Sequence, residues 1–169
     1  MRLYSGKVGA IASESVKELL AAGQIECVSP KEVEKDIAAV LDGYLKTEQE
    51  ALDLARDWQQ RRSLPPTELP RLRKAAAEQK GIKTGEDTLD FLLDQVVEML
   101  LHSGNVEEVF AEDHELRRTM VKIFKKHMAA EEEMEQEIRG KLKHVREGTS
   151  AWEIEYQRMR EDIRRRKGL

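Results

Sequence analysis

The best-spaced pair of metal-ligating side chains in the sequence is His127 and Glu131, four residues apart in a helical pattern. That spacing puts an imidazole and a carboxylate on one face of a helix, where both can bind one cation. Helical bundles that hold two metal ions use Glu-x-x-His pairs instead, and none of the histidines, His102, His114, His127 and His144, follows a glutamate at that spacing. A half-buried position at the edge of a bundle explains His127 equally well. We therefore expect no metal and no cofactor.

Phosphate binding by basic side chains is the second kind of chemistry that the sequence suggests. One basic cluster flanks a proline break in the middle of the chain, and the other crowds its end: Arg61, Arg62, Arg71, Arg73 and Lys74; Arg164, Arg165, Arg166 and Lys167. Such residues bind nucleic acids by neutralising phosphates. However, Glu161 and Asp162 separate the second cluster from the preceding Arg158 and Arg160, and no stacking aromatic residues are interleaved with either cluster. Nucleic-acid binding is therefore an alternative prediction and not the leading one.

Motifs for covalent or phosphoryl-transfer chemistry are missing from the sequence. There is no Gly-rich phosphate loop, no Gly-x-Ser-x-Gly turn and no Cys-x-x-Cys pair. The single cysteine, Cys27, follows Glu26, whose negative charge raises the pKa of a thiol and makes it less reactive. We predict that the protein is not an enzyme.

The composition is that of a helical protein. Charged residues make up 37% of the chain, hydrophobic residues 40% and aromatic residues only 5%, which favours long charged helices over a sheet. A lone cysteine excludes an internal disulfide, and neither a signal peptide nor an apolar run of about 18 residues is present. We expect a soluble, cytoplasmic protein that does not bind membranes.

The charges are arranged in blocks along the chain. Every charged residue from Glu86 to Glu115 is acidic, and the next segment begins with Arg117 and Arg118. Neighbouring blocks of opposite sign can face each other between antiparallel helices of one molecule, or they can recruit an oppositely charged partner. The internal arrangement is the one that we predict.

Two halves of the sequence share one order of elements: a short helix, a glycine stop, an apolar turn and a long helix. Apolar positions from Val8 to Val28 align without a gap with those from Leu89 to Val109, and Ser29-Pro30-Lys31-Glu32 predicts a capping box at the start of the first long helix. The first repeat is predicted at 1–82 and the second at 83–169. Their segments are bundle helices 7–22 and 30–50 with an arm at 51–81, and bundle helices 86–103 and 113–130 with an arm at 131–167.

Four particular segments make the chain similar to a known family. They are Met1-Arg2-Leu3-Tyr4-Ser5-Gly6-Lys7, the run from Asn105 to Asp113, Leu116-Arg117-Arg118, and the run from Gly148 to Tyr156. On these the chain resembles an uncharacterised bacterial family catalogued as domain of unknown function 507. The resemblance implies an all-α fold with a four-helix bundle base and two helical arms in a Y shape. It implies no activity and no functional residues.

The repeat predicts the same architecture on physical grounds. Neither half buries enough apolar surface alone, so the two pairs of helices should dock as an antiparallel four-helix bundle, with the long helices extending beyond it into two helical hairpin arms. The two repeats should form one cooperative domain. We expect an interaction or scaffold protein that binds a protein partner through its arms or the cleft between them. A nucleic-acid partner and a metal-binding bundle are the alternatives.

Overall fold

The protein is all-α, as predicted. The computed structural model describes residues 1–167, the side chain of Lys167 excepted. Six α-helices and two very short strands follow one another along these residues: α1 Val8–Ala21, β1 Ile25–Glu26, α2 Pro30–Arg61, α3 Leu69–Gln79, α4 Thr88–His102, β2 Glu108–Val109, α5 Asp113–Lys141 and α6 Ser150–Lys167. Short 3₁₀ turns at Ser5–Lys7, Pro66–Glu68 and Gly85–Asp87 lead into α1, α3 and α4. None of the helices described is long and apolar enough to cross a membrane.

Helix α2 begins where the sequence predicts, but the predicted capping box is wrong. Pro30 is its first residue and Ser29 has extended backbone, yet the Ser29 side chain makes no capping hydrogen bond. The Ser29 carbonyl instead accepts hydrogen bonds from the amides of Glu32 and Val33, and the Glu32 carboxylate pairs with Lys35. Proline therefore marks the start because its fixed φ suits the first helical turn, without help from a serine side chain.

A two-stranded antiparallel ribbon joins the two turns that the sequence leaves without regular structure. Ile25 lies opposite Val109, and Glu26 lies opposite Glu108. Two-residue strands are too short to produce a recognisable alternation of apolar and polar residues, so no sequence pattern predicts them. In the predicted repeat, residues 25–28 correspond to 106–109, so the ribbon pairs equivalent segments. The repeat itself stays a prediction.

One compact unit extends from Met1 to Met128 and has a continuous apolar core. Large side chains from α1, α2, α4 and α5 fill its centre, among them Ile11, Leu41, Leu92 and Phe124. The core continues between α2 and α3, where the buried residues are mostly small: Ala51, Ala55, Ala76 and Ala77. Small side chains let two helices approach closely. The predicted first arm, 51–81, thus shares its core with the predicted bundle helices.

The second compact unit is Ala129–Leu169, described through α6. Its buried apolar residues lie on the last part of α5 and on α6: Met134, Ile138, Leu142 and Ile163. Glu131 is also buried, with 1% of its side chain exposed. The boundary between the two compact units differs from that between the predicted repeats. The division into repeats and the Y-shaped bundle both stay predictions.

Candidate functional site

A charged cleft of about 550 Å³ lies in the first unit. We call it the Glu48 cleft. Its walls come from the N-terminal segment, the middle of α2, helix α3 and the turn before α4. The lining residues are Met1, Arg2, Glu48, Ala51, Leu52, Pro70, Arg73, Lys74, Ala77, Thr84, Gly85, Glu86, Asp87 and Thr88. A neighbouring cavity of about 240 Å³ also borders Arg2, Glu48 and Arg73. The central carboxylate and two arginines are therefore reached from two sides.

Tyr44 fixes one wall of the Glu48 cleft. Its hydroxyl donates a hydrogen bond of 2.9 Å to the Lys83 carbonyl and lies 3.4 Å from the Thr88 hydroxyl. Between those two contacts, Gly85 has a φ of +72°, a conformation that other residues adopt only with strain. The buried tyrosine, one turn before Glu48 on α2, thus ties the turn before α4 to the helix that carries the central carboxylate.

Glu48 is a half-buried carboxylate between positive charges. Burial raises its pKa above the ordinary value, and the charges of Arg2 and Arg73 lower it by less. Neither arginine forms an ion pair with it, since no such contact falls within 4 Å in the portion of the chain described. Desolvation therefore dominates over attraction at this position. The sequence contains a weak signal for this site, because Arg2 belongs to the opening motif and Arg73 to a basic cluster.

A second candidate lies on the ribbon and combines acidic with apolar side chains. Glu26 and Glu108 are directly opposite each other and both exposed. Val28, two residues beyond Glu26, is 82% exposed, and Phe110, two residues beyond Glu108, is 58% exposed. Because the strands are antiparallel, the two apolar side chains lie towards opposite ends of the carboxylate pair. We call these four residues the ribbon surface.

The basic residues that flank the proline break do not form one patch. Arg61 pairs with Asp57, Arg71 pairs with Glu68, and Arg62 lies over the Trp58 ring, 5.7 Å from its centroid. Arg73 and Lys74 line the Glu48 cleft instead. Two of these five candidates thus face a cavity, and two others are held by carboxylates of their own helical segment.

In the second unit, part of the terminal basic cluster forms ion pairs with acidic residues of α5. Arg164 approaches Glu131 at 3.5 Å and Arg166 approaches Glu137 at 2.6 Å, while Arg165 is exposed. The Lys167 side chain lies outside the described residues. Arginines held by carboxylates contribute less to phosphate binding, so nucleic-acid binding gains no support from this arrangement and stays a prediction.

The two metal-ligating candidates have different partners. His127 is buried, and its Nε2 lies 3.0 Å from Glu14 Oε1. Glu131 accepts hydrogen bonds from Arg160 and Arg164. Among the residues that the structure describes, no group of three or more His, Cys, Asp or Glu side chains is placed to hold a metal ion. Metal binding by His127 and Glu131 stays a prediction.

Opposite charges meet inside the first unit, as the sequence predicts. Arg117 donates hydrogen bonds to the carboxylates of Asp90 and Asp94, which belong to the acidic block. Burial raises the pKa of Glu14, but His127 and Lys126 lower it by more, so that its pKa lies below the ordinary value. Facing helices therefore neutralise part of the acidic and basic blocks without an external partner.

Cys27 is no candidate nucleophile. Burial and then the charge of Glu107 raise the pKa of its thiol, in the direction that the sequence predicts. A raised pKa leaves less of the reactive thiolate at neutral pH.

A protein-family model matches residues 1–169, that of the family described as "Protein of unknown function (DUF507)". No curated protein matches the chain. The resemblance seen in the four sequence segments is confirmed over the whole chain.

Proposed function

The chain belongs to the DUF507 family, whose function is unknown, and we propose from its own surface that it is a non-enzymatic, cytoplasmic protein that binds another protein. The binding site in this proposal is the ribbon surface. The observation that carries it is the exposure of Val28 and Phe110 on either side of the Glu26–Glu108 pair. Aromatic and apolar side chains grouped with polar neighbours are typical of protein interfaces.

The carboxylate pair indicates the chemistry of the partner. Like charges directly opposite each other across two strands destabilise a ribbon. No ion pair with Glu26 or Glu108 occurs within the described chain, so no internal cation relieves this repulsion. A lysine or arginine from a partner would relieve it. The complementary surface is therefore a basic residue between two apolar ones.

The sequence-based hypothesis placed binding at the arms or between them. The ribbon surface is favoured over those positions because it groups two exposed apolar side chains with two carboxylates that form no ion pair within the described chain. In the second unit, by contrast, the basic residues Arg160, Arg164 and Arg166 are engaged by glutamates. Ile154, 68% exposed on α6, is an apolar side chain of that unit that can serve as a control.

Affinity capture with matched variants tests this proposal. The immobilised protein and its variants Phe110→Ser, Glu108→Lys and Ile154→Ser are exposed to a lysate of the source organism, and bound proteins are identified by mass spectrometry. We expect the same bound protein with the unchanged chain and with Ile154→Ser, and its loss with the two ribbon variants. Circular dichroism checks that all four are equally helical.

A bound set that is identical for all four proteins would contradict the proposed site. Loss of the same protein only in Ile154→Ser would move the interaction to α6. A ribbon variant that fails to fold is replaced by Val28→Ser, whose side chain is the more exposed of the two apolar residues.

A further inference from the structure

The Glu48 cleft plays no part in the proposed protein contact. The arrangement of its charges is suited to binding a separate, small ligand. Its lining includes the N-terminal residue Met1, three cationic side chains and three carboxylates: Arg2, Arg73 and Lys74; Glu48, Glu86 and Asp87. None of the three cations forms an ion pair in the part of the chain that the structure describes. Side chains of both charges therefore face one cavity, and no ion pair joins these three cations to these three carboxylates.

The arginines give the cleft an anion-binding side. Arg2 belongs to the N-terminal segment and Arg73 to α3, yet both act on the charge of Glu48, so they approach the same carboxylate from two elements. Guanidinium groups bind carboxylates through paired hydrogen bonds, more specifically than an ammonium group does. Lys74 adds a further positive charge on the same helix.

Glu48 gives the cleft a cation-binding side. Its pKa is raised because burial outweighs the two arginines. A half-buried carboxylate gains most from a partner that donates hydrogen bonds and carries positive charge. Glu86 and Asp87, in the turn before α4, add negative charge to the same wall. A simple anion such as phosphate would satisfy the arginines and be repelled by these three groups.

Between the charges lies an apolar floor. Ala51 and Leu52 of α2 and Pro70 and Ala77 of α3 line the cleft. A volume of about 550 Å³ falls in the range of small-molecule sites, which extends over roughly 300–1,000 Å³.

We propose that the Glu48 cleft binds a free α-amino acid with an apolar side chain. Its carboxylate pairs with Arg2 and Arg73, its ammonium group with Glu48, and its side chain rests on Leu52 and Pro70. This ligand class accounts for all three features of the lining at once. A ligand with a single charge accounts for one of them and leaves the opposite set of side chains without partners.

In the first experiment, L-leucine is titrated into the ¹⁵N-labelled full chain, and binding is measured by NMR from the shifts of the backbone amides. We expect saturable shifts of the Gly85 and Arg73 amides, which lie in the cleft walls. N-acetyl-L-leucine lacks the ammonium group and L-leucinamide lacks the carboxylate, so each should bind at least about tenfold more weakly, as expected when one charged hydrogen-bond partner is lost.

The second experiment compares two arginines on one segment. Arg73→Gln should weaken leucine binding at least about tenfold, whereas Arg71→Gln should leave it unchanged, because Arg71 pairs with Glu68 and does not line the cleft. Glu48→Gln should weaken binding of leucine while leaving that of N-acetyl-L-leucine unchanged, since that analogue has no ammonium group to lose.

Three results would overturn this proposal. The first is the absence of saturable shifts at the cleft amides with leucine. The second is N-acetyl-L-leucine or inorganic phosphate binding as tightly as leucine, which would show an anion site without a cationic half. The third is an equal loss of affinity in Arg71→Gln and Arg73→Gln, which would show a general effect of charge.

Discussion

The interiors of the two compact units are stabilised by different kinds of interaction. In Met1–Met128 the interior is an apolar core to which five α-helices contribute, with large side chains such as Leu41 and Phe124 fully buried. In Ala129–Leu169 the described apolar interior consists of Met134, Ile138, Leu142 and Ile163, and a buried charge lies beside it. That charge, Glu131, is 1% exposed and contacts two arginines.

The network around Glu131 joins α5 and α6 beside this small interior. Arg160 contacts both Glu131 and Glu135, and the Tyr156 hydroxyl donates a hydrogen bond to Glu135. Burial and then Glu135 raise the pKa of Tyr156, while Arg160 lowers it by less. Buried ion pairs contribute little net stability but fix geometry, because alternative arrangements leave a charge without a partner. The second unit therefore depends on pairing where the first depends on packing.

A natural probe lies in each unit, since the two tryptophans are Trp58 in α2 and Trp152 in α6. Trp152→Phe leaves a chain whose fluorescence reports the first unit, and Trp58→Phe leaves one that reports the second. The second unit, Ala129–Leu169, is close to the length of about 40 residues below which a chain rarely buries enough surface for independent stability. We therefore expect the Trp152 signal to change at a lower urea concentration than the Trp58 signal. Coincident curves would support one cooperative domain.

The largest expected effect comes from the apolar core of the first unit. Phe124→Ala should lower its free energy of unfolding by about 4 kcal/mol, because a fully buried ring is replaced by a cavity. Urea unfolding followed by Trp58 fluorescence measures it. Phe110→Ala is the matched control, and it should cost less than about 0.5 kcal/mol because that ring is largely exposed. Equal losses in the two variants would contradict the assignment of the core.

In the second unit, the residue whose substitution should lower stability most is the charged Glu131. Glu131→Ala should lower stability by about 2 kcal/mol, less than the range for fully buried pairs because Arg160 and Arg164 remain 19% and 40% exposed and can reach water. The Trp152 transition measures this loss. Glu133→Ala removes the same charge from an exposed position two residues away and should change little.

Replacing both charged partners by apolar residues distinguishes the contribution of ion pairing from that of apolar packing. Glu131→Leu combined with Arg160→Met should bring stability back to within about 1 kcal/mol of the unchanged chain, because no buried charge then lacks its partner. A double variant less stable than Glu131→Ala would mean that the network stabilises this unit directly and that apolar side chains cannot replace it.

The sequence predicts a structural element correctly where a local pattern of residues is compatible with only one kind of element. The repeated three- and four-residue spacing predicts the four bundle helices, and Pro30 marks the first residue of α2. The sequence does not predict the ribbon, because the register of the two strands depends on two turns about 80 residues apart in the chain. It also pairs His127 with Glu131 because they share a helix, whereas the partners that decide their roles, Glu14 and Arg160, come from other helices.

Glu48 is a half-buried carboxylate of the first unit, and its substitution should change stability with the opposite sign to that of Glu131. Its pKa is raised, so the folded state holds the proton more tightly than the unfolded state. Stability from this group is thus present below the ordinary pKa of 4.5 and is lost as the pH rises through the raised value. Glu48→Gln should therefore be more stable than the unchanged chain at neutral pH, and equally stable at about pH 4.

Thermal unfolding of both proteins between about pH 4 and pH 7 measures this difference. We expect it to be smaller than the effect at Glu131, because Arg2 and Arg73 offset part of the burial. A Glu48→Gln chain that is less stable at neutral pH would mean that the carboxylate is held by its arginines, like Glu131, and that the two units do not differ in this respect.

The smallest expected effect is at the ribbon, where stability and binding should change in opposite directions. Glu26→Lys replaces the facing carboxylates by a pair of opposite charges, which should stabilise the first unit by about 0.5 kcal/mol. The same lysine would repel the basic residue of the proposed partner, so capture should be lost although the protein becomes more stable. If stability rises and capture is unchanged, the repulsion between Glu26 and Glu108 is unrelated to binding, and exposed Phe110 alone would have to account for any partner.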